Sequence, residues 1–154
     1  MAHATILVLN GPNLNLLGSR EPAIYGRETL ADIEATCIAR AKGLDLAVEF
    51  RQSNSEGELI GWVHQTARTA SGIIINAGGL SHSSISLMDA LSASGLPVVE
   101  VHLSNIHRRE EFRHHSYVSL VARGVIVGLG GQGYELALEA MARLVAGDSA
   151  QRIS

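Results

Sequence analysis

The chain of 154 residues has only one cysteine, three prolines and 4% aromatic residues, and it contains no long apolar run. Because Cys37 has no second cysteine to pair with, a disulfide within the chain is excluded. No stretch approaches the roughly 20 consecutive apolar residues that a membrane-spanning helix needs. The first residues also lack the charged and then apolar pattern of a secretion signal. We therefore expect a cytoplasmic protein that makes no contact with a membrane.

The chain also lacks a large excess of either charge, since 12 basic and 15 acidic residues give a formal net charge of -3. Lysine and arginine form no run, so the positively charged surface typical of nucleic-acid binding is not expected. We therefore expect no nucleic-acid partner. A small anionic substrate would have to be bound by a few local groups.

Apolar residues are plentiful by contrast, at 46% of the chain, and glycine occurs 16 times. This composition is typical of a compact α/β protein with many tight junctions between strands and helices. The length indicates one domain over residues 1–154. We expect its core to span about residues 5–146, followed by a small polar tail that frays.

Apolar runs alternate with helical patterns along this domain. The expected strands are residues 5–10, 44–52, 72–76, 97–102 and 124–128. Helices are expected from Thr29 and from Ser55, each with the spacing of a capping box, and over about 85–95 and 134–146, with a short one near Glu110. Cys37 falls on the apolar face of the first of these helices, as a small core residue. The alternation predicts a parallel sheet with right-handed crossovers.

The first strand-to-helix loop is unusually long. Such loops take roughly 2 to 6 residues in α/β units, whereas this one occupies about residues 9–26. It carries Asn13, Arg20 and Tyr25, which are respectively a turn former, a surface charge and a hinge-side aromatic in the simplest interpretation. A more functional interpretation is that the arginine cation stabilises the tyrosine phenolate, because a nearby positive charge lowers a phenol pKa.

Polar side chains follow three of the expected strands. They are Asn10 and Asn13 after the first, Asn76 and His82 after the third, and His102 and Ser104 after the fourth. Ligands of open α/β sheets bind beyond the carboxyl ends of the strands, where the strand order reverses. We therefore expect these groups to converge on one edge of the sheet and to form the functional site.

The fourth strand carries a carboxylate inside an apolar run. Glu100 lies between Val99 and Val101, and a buried carboxylate needs a partner. Strand alternation places Glu100 on the same side as His102, which would make an oriented imidazole suited to proton transfer. The alternative is that Glu100 pairs with a nearby arginine for purely structural reasons.

Two other groups of residues have weaker interpretations. The glycine-rich stretch 128–134 is either a phosphate-binding loop or a tight turn that starts a helix. We favour the turn, because the chain has no Walker lysine. Several histidines suggest a metal, although none of their spacings matches a zinc signature, so no metal is expected. These histidines are His102, His107, His114 and His115. The nearby arginines 108, 109 and 113 are interpreted as carboxylate-binding or subunit-contact groups.

Several segments together resemble the type II 3-dehydroquinate dehydratases, over about residues 5–146. They are residues 9–22, 25–26, 52–57, 75–76, 81–82, 100–105, 113–116 and 130–134. One departure is the run Ala77-Gly78-Gly79-Leu80, where the family usually has a proline after the asparagine and an aromatic at the end.

The resemblance implies a flavodoxin-like three-layer sandwich with a five-stranded parallel sheet in the order 2-1-3-4-5. It also implies a cofactor-free anti elimination of water from 3-dehydroquinate, through an enolate, to 3-dehydroshikimate. In that reaction Tyr25 would be the base and Arg20 would keep it ionised. Asn13 would hold a water at the enolate oxygen, and His102, oriented by Glu100, would protonate the leaving hydroxyl.

The resemblance assigns the remaining site residues to substrate binding. Asn76, His82 and Arg113 would contact substrate hydroxyls, and the backbone N–H groups of Leu103 and Ser104 would bind the carboxylate. Family members form trimers that stack into dodecamers, and Asp89 matches an acidic residue that reaches a neighbouring subunit's site. Two alternatives remain open at this point: a catalytically silent binder of small acids and a flavin- or nucleotide-binding module of the same fold.

Overall fold

The computed structural model describes residues 3–19 and 22–147, except for the side chains of Ile24 and Tyr25. Its centre is a sheet of five parallel strands. The strands are β1 (Ala4–Asn10), β2 (Leu46–Gln52), β3 (Gly72–Asn76), β4 (Val98–His102) and β5 (Gly124–Val127). Their spatial order, β2-β1-β3-β4-β5, confirms the predicted order and places the switch point between β1 and β3.

Helices on both faces complete three layers, which confirms the predicted α/β sandwich. The helices are α1 (Pro22–Tyr25), α2 (Leu30–Gly43), α3 (Glu56–Thr66), α4 (Ile85–Ser94) and α5 (Gln132–Val145). α2 and α5 pack on one face, where Cys37 and Met141 are fully buried. α3 and α4 pack on the other face through Leu59 and Leu87. Among the described helices, none combines the length and apolarity that a membrane crossing requires.

Side-chain caps fix where the longer helices begin. Thr29 and Asp32 form the predicted capping box at α2, in which each side chain accepts a hydrogen bond from the other residue's backbone N–H at 3.0–3.1 Å. The Ser55 hydroxyl accepts from the Glu58 N–H at α3, and Ser84 caps α4 in the same way. Each such cap contributes on the order of 1 kcal/mol.

Several helices and strands begin at residues other than those predicted. β2 begins at Leu46 and not at residue 44, because α2 continues to Gly43 and the chain then turns through Leu44 and Asp45, whose φ is +60°. α5 begins at Gln132, two residues earlier than expected. Short 3-10 turns were missed at Leu14–Leu16, Gly78–His82, Ile106–Arg108 and Val118–Leu120, whereas Glu111–Arg113 matches the short helix expected near Glu110.

The loops after β1 and β3 lie in backbone contact beside the switch point. The Gly11 N–H donates to the Asn76 carbonyl at 2.8 Å, and a Cβ added at Gly11 would lie 2.4 Å from the Ala77 carbonyl oxygen. Only glycine fits this approach, because a side chain would have to displace backbone. The two loops therefore form a fixed base for the residues that follow the strands.

Replacing Gly11 by alanine is expected to destabilise the protein by about 1–3 kcal/mol, because the methyl group overlaps the Ala77 carbonyl. Gly61→Ala is the matched control, since Gly61 lies inside α3 with open space at its Cβ position. Alanine at position 61 is expected to add up to about 1 kcal/mol through helix propensity. Urea unfolding measures both effects. Equal stability of the two variants would contradict the close approach.

Candidate active site

A cleft of about 230 Å³ lies at the carboxyl ends of β1, β3 and β4. Its lining includes most of the predicted site residues: Asn13, Asn76, His82, His102, Leu103, Ser104 and Arg113, together with Pro12, Leu14, Gly78, Gly79, Ile106 and Arg109. A larger depression beside β5 and α5 contains none of the predicted site residues. The chemistry of the side chains therefore favours the smaller cleft.

Glu100 and His102 form a buried pair at the end of β4, on the same side of the strand as predicted. The His102 Nε2 lies 2.5 Å from Glu100 Oε2, and the two side chains are 6% and 0% exposed. The Ser116 and Ser119 hydroxyls also donate to this carboxylate, at 2.6 and 2.5 Å. Burial raises the Glu100 pKa, but the hydrogen bonds from the histidine and the two serines outweigh it and leave the pKa lowered. The group is thus a buried anion that orients His102.

His82 lies beside this pair, with its ring stacked on that of His102 at a centroid distance of 6.3 Å. Its Nδ1 lies 2.8 Å from the His115 carbonyl oxygen, so Nδ1 carries the proton and donates it. Nε2 is then left as an acceptor for a ligand hydroxyl. Burial lowers the His82 pKa, with further lowering by the positive charges of His102 and Arg113. The ring therefore stays neutral at pH 7.

Asn13 begins the long loop in a left-handed conformation, with φ of 73°. Its backbone N–H donates to Asn54 Oδ1 at 2.9 Å, and Asn54 in turn accepts from Gln52 Nε2 at 3.2 Å. The Asn13 side chain makes no capping bond to the turn it precedes. Sequence reasoning assigned no role to Gln52, the last residue of β2, or to Asn54 in the loop that follows it. They anchor the backbone from which Asn13 lines the cleft.

Asn76 is hydrogen-bonded to a buried tyrosine. The Tyr134 hydroxyl donates to Asn10 Oδ1 at 2.7 Å and accepts from Asn76 Nδ2 at 3.1 Å, while Asn76 Oδ1 accepts from the Gly78 N–H. Complete burial raises the Tyr134 pKa, so the phenol stays protonated. Sequence reasoning gave Tyr134 no role beyond starting the last helix. Its polar hydroxyl on an apolar helix face was the available signal.

Two arginines bring positive charge to the cleft. Arg113 Nε donates to Glu110 Oε1 at 3.1 Å, and Arg109 Nη1 donates to the Ser104 hydroxyl at 3.4 Å. Both arginines line the cleft, as do Leu103 and Ser104. The cleft is suited to an anionic ligand, because guanidinium groups match carboxylates in charge and geometry.

The structure places one further predicted residue, Asp89, away from the cleft, and it does not describe the side chains of two others. Asp89 lies exposed on α4 and outside the cleft. Arg20 falls outside the described residues. The backbone of Tyr25 ends helix α1, but its side chain is not among those described. The base assigned to Tyr25 and the role of Arg20 therefore stay predictions.

The alternative interpretations of the other motifs find no support. No group of three or more histidine, cysteine, aspartate or glutamate side chains is arranged to hold a metal within the described ranges 3–19 and 22–147. The glycine-rich stretch 128–134 forms a tight turn before α5, with Gly128 at φ +85°. The Glu28 carboxylate lies against Gly131 at this helix start, and its charge would repel a phosphate.

The fold and the cleft define an α/β protein that binds a small ligand at the switch point, with a carboxylate–histidine pair placed for proton transfer. The family model "Dehydroquinase class II" matches residues 4–142. A 3-dehydroquinate dehydratase 2 of Pseudomonas aeruginosa is 61% identical over 135 residues, covering 88% of this chain and 91% of the relative. A 3-dehydroquinate dehydratase of Corynebacterium pseudotuberculosis is 62% identical over 136 residues, covering 87% and 93%.

Solved structures agree with these relatives. The type II dehydroquinase of Propionibacterium acnes has a TM-score of 0.87 and 50% identity, covering 92% of this chain and 99% of that one. The chain belongs to the class II dehydroquinase family.

The His82 pKa should lie below the ordinary histidine value of about 6.5, because burial disfavours the charged ring. Arg113→Ala is expected to raise this pKa by removing a nearby cation. Arg68→Ala, at an exposed position beyond α3, is the control and should leave it unchanged. Titration of the ring nitrogens by ¹⁵N NMR measures all three proteins. A midpoint above 6.5, or one unmoved in Arg113→Ala, would overturn the assignment of a neutral His82.

Proposed function

We propose that the chain is a type II 3-dehydroquinate dehydratase, a hydro-lyase of the shikimate pathway. It removes water from 3-dehydroquinate by anti elimination through an enolate and forms 3-dehydroshikimate without a cofactor or metal ion. Family membership supports the substrate and the reaction. The observation that carries the mechanism is the buried pair of Glu100 and His102 at the cleft.

The pair supplies the acid half of the elimination. The Glu100 carboxylate holds His102 Nε2 and balances the ring's charge when His102 is protonated. The opposite nitrogen, Nδ1, then gives its proton to the leaving hydroxyl. A positioned acid of this kind contributes about 10²–10⁴-fold to the rate.

The long first loop supplies the base half. Tyr25, kept ionised by Arg20, removes the proton next to the ketone, and Asn13 holds a water against the developing enolate oxygen. The left-handed Asn13, fixed through its N–H by Asn54, supports this role because it is anchored where the loop leaves β1. Stabilising charge as it develops on the enolate is a large source of rate enhancement.

The remaining groups bind the substrate. Asn76, His82 and Arg113 contact its hydroxyls, and the backbone N–H groups of Leu103 and Ser104 take its carboxylate. The neutral His82 supports this division, since its Nε2 is available as an acceptor. Arg113, together with Arg109 in the same cleft lining, attracts the anionic substrate to a chain whose formal net charge is -3.

The protein acts in the cytoplasm as a homo-oligomer, a dodecamer built from trimers, in which Asp89 reaches a neighbouring subunit's site. The exposure of Asp89 on α4 supports that role, because an exposed acidic side chain outside its own cleft is free to contact another chain. Large exposed apolar side chains such as Phe112 and Leu120, at 66% and 69%, also favour assembly.

Purified protein incubated with 3-dehydroquinate is expected to raise the ultraviolet absorbance, because the product has a conjugated enone and the substrate does not. His102→Asn should lower kcat by about 10²–10⁴-fold through loss of the acid. His64→Asn, on the exposed side of α3, is the matched control and should retain activity. Ligand binding without any product in the unmodified protein would contradict the proposal and favour the silent acid binder suggested by residues 77–80.

A further inference from the structure

One short segment, residues 115–119, is hydrogen-bonded to His82 and to Glu100, the carboxylate partner of His102. The His115 carbonyl accepts the proton of His82 Nδ1 at 2.8 Å. The Ser116 hydroxyl donates to Glu100 Oε2, and the Ser119 hydroxyl donates to Oε1. Both oxygens of the carboxylate that orients His102 are thus held from this segment, although none of its residues lines the cleft.

The segment is fixed to the rest of the fold at two points. The Tyr117 N–H donates to the Ser81 carbonyl at 2.8 Å, which joins it to the residue before His82. Val118 is fully buried among the apolar residues under α3 and α4. The hydroxyl and carbonyl groups of residues 115–119 therefore have fixed positions relative to β4 and to the loop after β3.

We propose that residues 115–119 form a positioning segment that fixes which nitrogen of His82 carries the proton and keeps Glu100 as the anionic partner of His102. The inference rests on the proposed function, because it assigns the acid step to His102. Ser116 and Ser119 act on that step through Glu100, without touching substrate.

The two serines matter because Glu100 has no exposure to solvent. Burial disfavours the carboxylate, and hydrogen bonds to the charged form are what keep it ionised. Two of the three described donors are serines of this segment, and the third is His102 itself. On the neighbouring strands Glu100 is in register with Ile75 and Val125, which carry no charge.

Among the residues that the structure describes, the other charged or titratable groups that interact with the carboxylate or with its histidine neighbours line the cleft. They are His102 and His82, with Arg113 next to His82. None of these replaces a lost serine hydroxyl, since His102 already bonds to Oε2 and His82 is held by His115. Removing the serines therefore raises the Glu100 pKa, and the carboxylate becomes protonated at a higher pH.

Ser116→Ala and Ser119→Ala, alone and combined, test the inference. Each is expected to lower kcat at pH 7 by about 10-fold with little change in KM, and the acid limb of the kcat profile should move to higher pH. Ser119→Thr keeps a hydroxyl at an exposed position and should restore the wild-type profile. Ser92→Ala, exposed on α4, is the control for a serine outside the segment.

A Glu100→Gln background separates positioning from general loss of structure. Without an ionised carboxylate, the serine substitutions should have little further effect on kcat, because coupled residues are not additive. Full additivity would overturn the inference. So would a double alanine variant whose pH profile matches that of the wild type.

The ¹⁵N NMR signals of the two histidine rings provide a readout that does not depend on turnover. In the double alanine variant the His102 signals should move, while His82 should keep its proton on Nδ1 because the His115 carbonyl is unchanged. Unchanged His102 signals would overturn the inference even in an active enzyme. Absence of turnover in the wild type, with the His102 signals still sensitive to the serines, would instead reject only the proposed function.

Discussion

The structure depends most on the burial of one carboxylate. Glu100 lies in the middle of β4 with no solvent exposure, where an unpaired charge would cost several kcal/mol. Its three described hydrogen bonds come from His102 on the same strand and from two serines 16 and 19 residues further along the chain. The connection between β4 and β5 must therefore return over the edge of the sheet. In doing so it also brings Arg109 and Arg113 to the cleft.

A second constraint acts where β1 and β3 end. The amides of Asn10 and Asn76, at the ends of adjacent strands, share the hydroxyl of Tyr134 from a helix that packs on one face of the sheet. The two amides and the hydroxyl are all hydrogen-bonded within this network, so it fixes side-chain orientations as well as contributing stability. Together with the contact between Gly11 and Ala77, it makes the floor of the cleft rigid before any ligand binds.

Periodicity and topology sufficed to predict a parallel sheet, the edge of the sheet that carries the cleft, and the common side of Glu100 and His102, whereas the strand order came from the family resemblance. These features follow from local patterns and from the geometry of parallel sheets. The serines at 116 and 119, Asn54 and Tyr134 were not assigned roles, because their partners lie 16 to 124 residues away and leave no periodic signal. The residue types suggested that Arg20 stabilises a Tyr25 phenolate, the family resemblance assigned their part in the reaction, and both stay predictions.

In the proposed elimination, separate groups act as base and acid, with His102 as the acid. The most direct measurement follows deuterium from D₂O into the position next to the ketone of 3-dehydroquinate, alongside product formation. In His102→Asn we expect continued deuterium uptake into the substrate with little product, because the enolate still forms but the leaving hydroxyl is not protonated. Tyr25→Phe should lose both activities. Loss of exchange together with elimination in His102→Asn, or undiminished elimination, would contradict a separate base and acid.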